Sequence, residues 1–260
     1  MSRVALVTGA ARGIGAATVI ALAADGWSVL AVDLVADDPA LPYPLAGPSD
    51  LAAVVEEAGE RVLPFVADVR DAGALEAAVA RAQQRWGGLD AAIACAGVIA
   101  GGLPLWQVPA EQERAVLDVN LGGVLNLARV AVPVLLRRPA PRAGRFIAVA
   151  SAAATRGLPL LAAYCAAKAG VAGLIRSLAV ELADTGVTAN AVSPGSTATP
   201  ILAESARLYG LDDATSFAGQ QPVGRLIDPA EVAAVLAFLA GTASSGMTGA
   251  VVPVDGGLAL

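Results

Sequence analysis

The sequence predicts a three-layer α/β domain, with a seven-stranded, mostly parallel sheet and helices on both faces. Short apolar runs alternate along the chain with alanine-rich segments of helical periodicity. This order is typical of parallel strands that are joined by right-handed crossovers and buried on both faces. The 260 residues, 56% of them hydrophobic, can fill one core, and no linker composition divides them. We therefore expect a single domain over residues 1–260.

The elements follow in regular order. Strands are expected at Val4–Val7, Ser28–Val32, Val62–Val66, Ala91–Ala94, Arg145–Ala150, Thr188–Val192 and Ala250–Val254. Helices are expected at Ile14–Ala24, Leu51–Ala58, Ala72–Trp86, Glu111–Leu136, Ala163–Ala183 and Pro229–Leu239. Asp71 and Asp228 precede two of these helices as N-caps, and Gly87 ends the helix that Asp71 begins.

One segment interrupts this rhythm after the second strand. ADDPALPYPLAGPSD, at about residues 36–50, carries four prolines. Four prolines cannot lie within one regular helix or a paired strand. The segment is therefore expected to be an ordered, extended loop on the surface.

Composition excludes several classes of function. The net charge is −6 without a basic run, so no nucleic-acid partner is expected. Charges or glycines interrupt the longest apolar runs, so no membrane span is expected either. The start MSRVALVTGA reads as a strand rather than a secretory signal, and the two cysteines are too few for a disulfide framework. These features favour a reducing cytoplasm.

The chain has no histidine. This rules out Ser-His and Cys-His nucleophiles and histidine metal sites, and we expect no metal. Acid–base chemistry near neutral pH must then use a carboxylate, tyrosine, lysine or cysteine with a shifted pKa.

A glycine-rich turn joins the first strand to the first helix. VALVTGAARGIG places Gly9, Gly13 and Gly15 there, with Arg12 and Ile14 between them. Glycines allow the backbone to turn tightly and to approach a pyrophosphate at a helix N-terminus. An ordinary tight turn would show the same pattern, but the strand before it and the helix after it favour a dinucleotide site.

Asp33 ends the second strand, where a carboxylate can accept hydrogen bonds from ribose hydroxyls. The same charge would repel a 2′-phosphate, and Leu34 beside it offers no basic group. NAD is therefore favoured over NADP, although Arg12 could soften that preference. Asp33 could also be a solvated residue at a strand end.

Two further short motifs follow the third and fourth strands. Asp68 and Val69 form the first, and Cys95, Ala96 and Gly97 form the second. Both are expected at the carboxyl edge of the sheet, where ligands of open α/β sheets bind. Either one alone fits plain turn chemistry equally well.

Lys168 is the one lysine of the chain and follows Tyr164 by four residues. On a helix the two share a face. An ammonium near a phenol favours the phenolate, and lowering its pKa from about 10 to about 7 requires roughly 4 kcal/mol. Tyr164 could then exchange a proton with an alcohol or a ketone. The alternative is an exposed helical lysine without a role.

Two other polar residues are candidates. Ser151, at the end of the fifth strand, could hydrogen-bond a substrate oxygen. Asn120 lies in a predicted helix, where asparagine is a poor helix former. It could bind a backbone carbonyl or a water that links Lys168 to solvent, or it could be a capping or kink residue.

This ordered set resembles the short-chain dehydrogenase/reductase superfamily over essentially the whole chain. The motifs that carry the resemblance are TGAARGIG, Asp68, the AG of CAG, Asn120, Ser151, YCAAK and the Pro194–Gly195 pair. The resemblance implies a Rossmann fold, hydride transfer between a secondary alcohol or ketone and nicotinamide, and a homotetramer.

The resemblance also implies roles for individual residues. Tyr164 would be the general acid/base, Lys168 would bind the nicotinamide ribose, Ser151 would orient substrate and Asn120 would support a proton relay. The segment from Pro194 and Gly195 through Thr197 to Thr199 would lie over nicotinamide. A mobile loop at about 198–221, within a substrate segment at about 196–225, would close over substrate.

Two features qualify the resemblance. The family usually has asparagine where this chain has Cys95, which puts one backbone contact in doubt. The proline-rich insertion is similar to one in members that are associated with the redox cofactor mycofactocin. Those members look like enzymes that hold NAD tightly and pass electrons to another carrier. The insertion could equally be a surface loop without kinetic consequence.

Two other functions stay open at this point. One is an NADP-dependent 3-oxoacyl-(acyl-carrier-protein) reductase, which Asp33 opposes. The other is a non-catalytic NAD-binding regulator, which the intact Ser151, Tyr164 and Lys168 oppose. Residues 199–219 and 103–106 are mainly apolar, with Trp106, Tyr209 and Phe217, which suggests an apolar alcohol such as a terpenoid or other alicyclic compound as substrate.

Overall fold

Seven parallel strands form one sheet at the centre of the computed structural model, which describes residues 2–260. The strands are β1 (Val4–Thr8), β2 (Ser28–Asp33), β3 (Val62–Val66), β4 (Ala91–Ala94), β5 (Arg145–Val149), β6 (Thr188–Pro194) and β7 (Val251–Val254). Their order is β3-β2-β1-β4-β5-β6-β7, and every neighbouring pair is parallel. The predicted Rossmann-type α/β fold is confirmed, and its sheet is parallel throughout.

Helices cover both faces of the sheet. They are α1 (Gly13–Ala24), α2 (Pro48–Ala58), α3 (Ala72–Trp86), α4 (Ala110–Leu117), α5 (Gly123–Leu136), α6 (Ala162–Glu181), α7 (Pro200–Leu208) and α8 (Pro229–Ala240). One buried cluster joins the sheet to α3, α5 and α6, and a second joins it to α1, α2 and α8. Leu75, Leu127 and Val171 are fully buried in the first cluster, and Leu22 and Leu236 in the second. Each such side chain contributes roughly 2 kcal/mol through burial.

The strand order places a switch point between β1 and β4. The chain builds outward from β1 to β3 and then returns to the other side of β1. The connections that leave β1 and β4 therefore diverge, which opens a crevice at their carboxyl ends. The glycine turn follows β1 and the Cys95, Ala96 and Gly97 motif follows β4.

The long helix predicted at Glu111–Leu136 has a break in its hydrogen bonding. α4 and α5 are joined through a π-helical turn, Asp118–Gly122, and Asn120 lies in that turn. Such turns widen a helix by one residue and are frequent at functional sites. Asn120 thus lies where the regular hydrogen bonding of the predicted helix is interrupted.

The segment predicted as a loop at about 198–221 contains α7 and a 3₁₀ segment, Ala214–Gln220. The Thr199 side chain accepts a hydrogen bond from the Leu202 N–H at 3.3 Å, and Pro200 begins the helix. Both are ordinary helix-start signals that the sequence analysis did not use.

Two helical stretches, Ala110–Leu136 and Ala162–Glu181, are long and apolar enough to cross a membrane by length and composition. Charges and glycines interrupt both stretches, among them Arg129 and Arg176. Both stretches pack against the sheet and supply core residues, among them Leu127 and Ile175. Core helices of globular proteins meet the same criterion, and we interpret these two in that way.

Candidate active site

A cavity of about 710 Å³ opens at the carboxyl ends of the strands. Of the predicted site residues, all but Asn120 line it: Gly9, Arg12, Gly13, Ile14, Gly15, Asp33, Leu34, Asp68, Val69, Cys95, Ala96, Gly97, Ser151, Tyr164, Lys168, Pro194, Gly195, Thr197 and Thr199. The fold thus brings together residues that are spread over 190 positions of sequence.

The glycine turn is closely packed against its neighbours. Gly9 has a φ of +66°, and a Cβ atom there would lie 2.6 Å from the Ala96 Cα. A Cβ on Gly15 would lie 1.9 Å from the Gly9 carbonyl oxygen. Larger residues are excluded at both positions, so the backbone N–H groups at the start of α1 stay accessible to an anion. This cradle fits a dinucleotide pyrophosphate.

The Asp33 side chain is held by two backbone N–H groups, one from the glycine turn and one from the residues that follow β2. Its carboxylate accepts hydrogen bonds from the Ala11 N–H at 2.9 Å and the Val35 N–H at 3.2 Å. Each carboxylate oxygen keeps a further lone pair for a ligand hydroxyl. Arg12 is directed elsewhere, because its guanidinium donates to the Pro44 carbonyl at 3.2 Å. This arrangement places negative charge and no free arginine beside the expected ribose position.

The proline-rich insertion is ordered and borders this end of the cavity. Arg70 binds Asp38 of the insertion at 2.6 Å and Asp68 at 2.6 Å. Tyr43 accepts a hydrogen bond from the Ile99 N–H at 2.9 Å, and burial raises the pKa of its phenol to about 12. The insertion is thus joined to the segments that follow β3 and β4. Its extent is shorter than predicted, because Pro48 starts α2.

Asp68 is electrostatically coupled to Arg70. Burial alone would raise the pKa of the Asp68 carboxyl, but the hydrogen bonds and the charge of Arg70 hold it below the ordinary value. The pair leaves both groups ionised at neutral pH. Asp68 therefore acts first as an anchor for Arg70, and through Arg70 for the insertion.

Cys95 occupies the position where the resemblance leads one to expect asparagine. The Thr8 side chain accepts hydrogen bonds from the Cys95 N–H at 3.2 Å and the Ala96 N–H at 3.3 Å. Thr8 thus ties the end of β1 to the segment after β4 without help from the Cys95 side chain. Burial raises the pKa of the Cys95 thiol to about 12, so it is uncharged near neutral pH.

Tyr164 and Lys168 lie on one face of α6 at the floor of the cavity. The Lys168 Nζ is 5.7 Å from the centroid of the Tyr164 ring and donates to the Val149 carbonyl at 2.8 Å. Burial lowers the pKa of Lys168 to about 8. Burial also raises the pKa of Tyr164, and a hydrogen bond with Ser151 only partly opposes this. The predicted lowering of the tyrosine pKa is therefore not a property of the chain by itself, because loss of hydration outweighs the hydrogen bond with Ser151.

Asn120 lies behind the cavity and is fully buried. Its side chain accepts from the Val98 N–H at 2.8 Å and donates to the Val98 carbonyl at 2.8 Å. A Cβ on Gly97 would lie 3.4 Å from the Asn120 Oδ1 and 3.8 Å from the Lys168 Nζ. Asn120 therefore positions the segment after β4 directly beside Lys168.

The half of the cavity away from the glycine turn, which includes Leu158, Tyr209 and Phe217, is mainly apolar. Tyr209 and Phe217 meet edge to face with centroids 6.0 Å apart, and the Tyr209 hydroxyl donates to the Pro159 carbonyl at 2.7 Å. Trp106, expected near the substrate, is 83% exposed and does not line the cavity. The 3₁₀ segment Leu105–Gln107 places its side chain outward, toward solvent.

Several positioning residues were missed from sequence: Thr8, Tyr43, Arg70 and Gln221. Gln221 is 2% exposed, accepts from the Ser196 N–H at 2.9 Å and donates to the Arg225 carbonyl at 2.7 Å. For none of these residues does a sequence motif predict which distant residue it contacts. Tyr43 could most readily have been predicted from the sequence, since an aromatic residue among prolines needs a surface to pack on.

Comparisons with known proteins agree with this geometry. A family model described as enoyl-(acyl carrier protein) reductase matches residues 9–259. The chain is 39% identical to cis-4-hydroxycyclohexanecarboxylate dehydrogenase of Sinomonas cyclohexanicum, over 98% of the chain and 96% of the relative. It is 36% identical to (−)-trans-carveol dehydrogenase of Rhodococcus erythropolis, over 99% and 98%.

A solved structure shows the same fold with a cofactor. Carveol dehydrogenase from Mycobacterium avium in complex with NAD superposes with a TM-score of 0.90 at 32% identity, covering 98% of this chain and 97% of that one. The match to a family model over nearly the whole length and the similarity to dehydrogenases of secondary alcohols lead to one conclusion. The chain belongs to the short-chain dehydrogenase/reductase superfamily, as an alcohol dehydrogenase/ketoreductase.

Proposed function

We propose that the protein interconverts a secondary alcohol on an alicyclic ring and the corresponding ketone, with NAD as the hydride carrier. The observation that carries this proposal is the meeting of Ser151, Tyr164 and Lys168 on one cavity floor, with the glycine cradle and Asp33 on the same cavity. Tyr164 is assigned as general acid/base.

The roles that we propose for the polar residues come from the family resemblance, and their contacts support them. Ser151 orients the substrate oxygen beside the Tyr164 hydroxyl, since both side chains line the same cavity. Lys168, held at the Val149 carbonyl, supplies positive charge below Tyr164 and binds the nicotinamide ribose. Asn120 keeps the adjoining segment in place and supports a proton relay.

Bound NAD supplies the hydride acceptor and, at its oxidised ring, a positive charge. Because burial raises the pKa of Tyr164 in the chain itself, Tyr164 requires such added charge before it takes the alcohol proton. Gly9, Gly13, Gly15, Arg12 and Ile14 would hold the pyrophosphate side. The remaining contacts would come from Leu34, Asp68, Val69, Cys95, Ala96, Gly97, Pro194, Gly195, Thr197 and Thr199.

NAD is proposed over NADP because Asp33 faces the expected ribose and Arg12 is bound to the insertion. A 2′-phosphate would be repelled by the carboxylate.

The 3-oxoacyl-(acyl-carrier-protein) reductase alternative is not favoured, since the two relatives compared above act, by their names, on cyclic alcohols. Those names also support an alicyclic substrate for this chain.

We further propose that the insertion holds NAD tightly and that electrons pass to a mycofactocin-type carrier. The anchors at Asp38 and Tyr43 support this, because both must break before the insertion can move away. The test is to purify the protein without nucleotide, denature it and identify released dinucleotide by mass spectrometry. Near-stoichiometric NAD supports tight binding, and an empty protein that turns over with added NAD contradicts it.

The proposed assembly comes from the family resemblance, and the proposed location from the small number of cysteines. We propose a homotetramer in the cytoplasm, with a single domain over residues 1–260 and a substrate segment at about 196–225 that closes over the ligand. Exposed apolar side chains such as Val180 and Phe238 are available for subunit contacts. Gel filtration with light scattering tests the tetramer.

The central experiment is the Tyr164→Phe variant, which removes only the hydroxyl. We expect NAD binding to stay within about 2-fold and turnover of a cyclic alcohol such as cyclohexanol to fall by about 10³-fold. Unchanged turnover would contradict the assignment of Tyr164. Unchanged folding, measured by thermal melting, is the control.

A further inference from the structure

The apolar half of the cavity contains one charged side chain. Seven charged residues line the whole cavity: Arg12, Asp33, Asp38, Asp68, Arg70, Arg156 and Lys168. Five of them surround the glycine turn and the insertion, and Lys168 lies beneath Tyr164. Arg156 alone lies among the substrate-side walls, with Leu158, Tyr209 and Leu258.

Arg156 has no carboxylate partner within residues 2–260. The ion pairs of that region involve Arg70, Arg138, Arg207 and Arg225. The Arg156 guanidinium donates to the Leu258 carbonyl, which uses one of its five N–H groups. Arg156 lines the apolar half of the cavity, is exposed to solvent and has donors to spare, so it is suited to bind an anion from a ligand.

The backbone of Arg156 is tied to the catalytic floor. Its N–H donates to the Ala152 carbonyl at 2.9 Å, one residue from Ser151. The Leu158 N–H contacts the Cys165 sulfur at 3.5 Å, one residue from Tyr164. The backbone at Arg156 therefore has a defined position relative to Ser151 and Tyr164.

We propose that Arg156 binds a carboxylate of the substrate, so that the substrate class is an alicyclic hydroxy acid. The planar guanidinium matches a carboxylate with two parallel hydrogen bonds. The ring would lie against the apolar wall, with its hydroxyl at Ser151 and Tyr164 and its acid group at Arg156. This inference rests on the proposed function, whose active-site floor it uses.

The simpler explanation is that Arg156 only holds the C-terminal turn through Leu258. That role would affect charged and neutral ligands equally, so a ratio of affinities separates the two explanations. Cyclohexanecarboxylate and cyclohexanecarboxamide have nearly the same shape and differ in charge. Neither has a hydroxyl to oxidise, so their binding can be measured without turnover.

The test is calorimetric titration of both ligands into the protein saturated with NAD. We expect the acid to bind about 30-fold more tightly than the amide, as for a charge-assisted bidentate contact. Arg156→Gln should reduce this ratio to about 1, whereas Arg156→Lys should keep part of it. Arg85→Gln is the matched control, because Arg85 is exposed at the end of α3 and carries the same charge.

Three results would overturn the inference: a wild-type ratio near 1, no binding of the acid, or a ratio that Arg156→Gln leaves unchanged. Oxidation of cyclohexanol with NAD is measured alongside. Cyclohexanol turnover without acid selectivity would leave the proposed function in place and remove the Arg156 inference. If binding of the acid depends on Arg156 but cyclohexanol is not oxidised, the anion contact of Arg156 stands and the proposed function fails.

Discussion

Tyr43 and Ile99 are joined by a 2.9 Å hydrogen bond from the Ile99 N–H to the Tyr43 hydroxyl, although 56 positions separate them in sequence. The bond connects the insertion after β2 to the segment after β4. Asn120 holds the neighbouring Val98 from the other side. Two side chains from different elements thus fix one short segment beside Lys168.

Tyr43→Phe should loosen the insertion while keeping its apolar packing. The variant leaves the Ile99 N–H without its partner, which should lower the free energy of unfolding by about 1 kcal/mol. We also expect NADH to dissociate several-fold faster, as measured by loss of its fluorescence on displacement. A release rate equal to that of the wild type would show that the insertion does not limit cofactor exchange.

Asp33→Asn should shift the cofactor preference. The amide keeps an oxygen for the Ala11 N–H, so the glycine turn should stay folded. Removing the charge reduces repulsion of a 2′-phosphate, and the NADP-to-NAD ratio of kcat/KM should rise about 10-fold. Steady-state kinetics with both cofactors measures the ratio. A wild-type enzyme that already prefers NADP would contradict the proposal for NAD.

Lys168 predicts a pH dependence of stability in cofactor-free protein. Its pKa is about 8 in the folded chain and 10.5 in the reference state. Between these values the unfolded chain binds more protons, so the contribution of Lys168 to stability rises with pH. Chemical unfolding of the wild type and Lys168→Met from pH 7 to pH 10 should show the difference. A difference that is constant over this range would mean that the lysine is hydrated.

Asp68 predicts a second rise of stability with pH, this time in the acid range. Its pKa is lowered in the folded state, so its contribution to stability is full above the ordinary carboxyl value of about 4 and is lost as the pH falls through the folded value. Melting temperatures of the wild type and Asp68→Asn should therefore differ at pH 7 and converge at the lowest pH. Asp50→Asn, at the start of α2, is a control for carboxylate loss away from Arg70.

Much of the site could be predicted because its motifs are local. Gly9 and Gly15 are required by backbone geometry within one turn, and Tyr164 and Lys168 share a face through helical spacing alone. The helix α7 was missed although Thr199 and Pro200 carry its start signals. Trp106 was misplaced because an apolar run does not show which side of a 3₁₀ turn faces the protein.

The sequence by itself determined the alternation of strands and helices, the glycine cradle, Asp33 and the Ser151, Tyr164 and Lys168 set. Each of these depends on periodicity or on the chemistry of neighbouring residues. Only the tertiary structure decided the direction of the Tyr164 pKa, the anchoring of the insertion at Ile99 and Asp68, and the place of Arg156 in the cavity. The reason is physical: exclusion of water and contacts between distant segments exist only once the chain has folded.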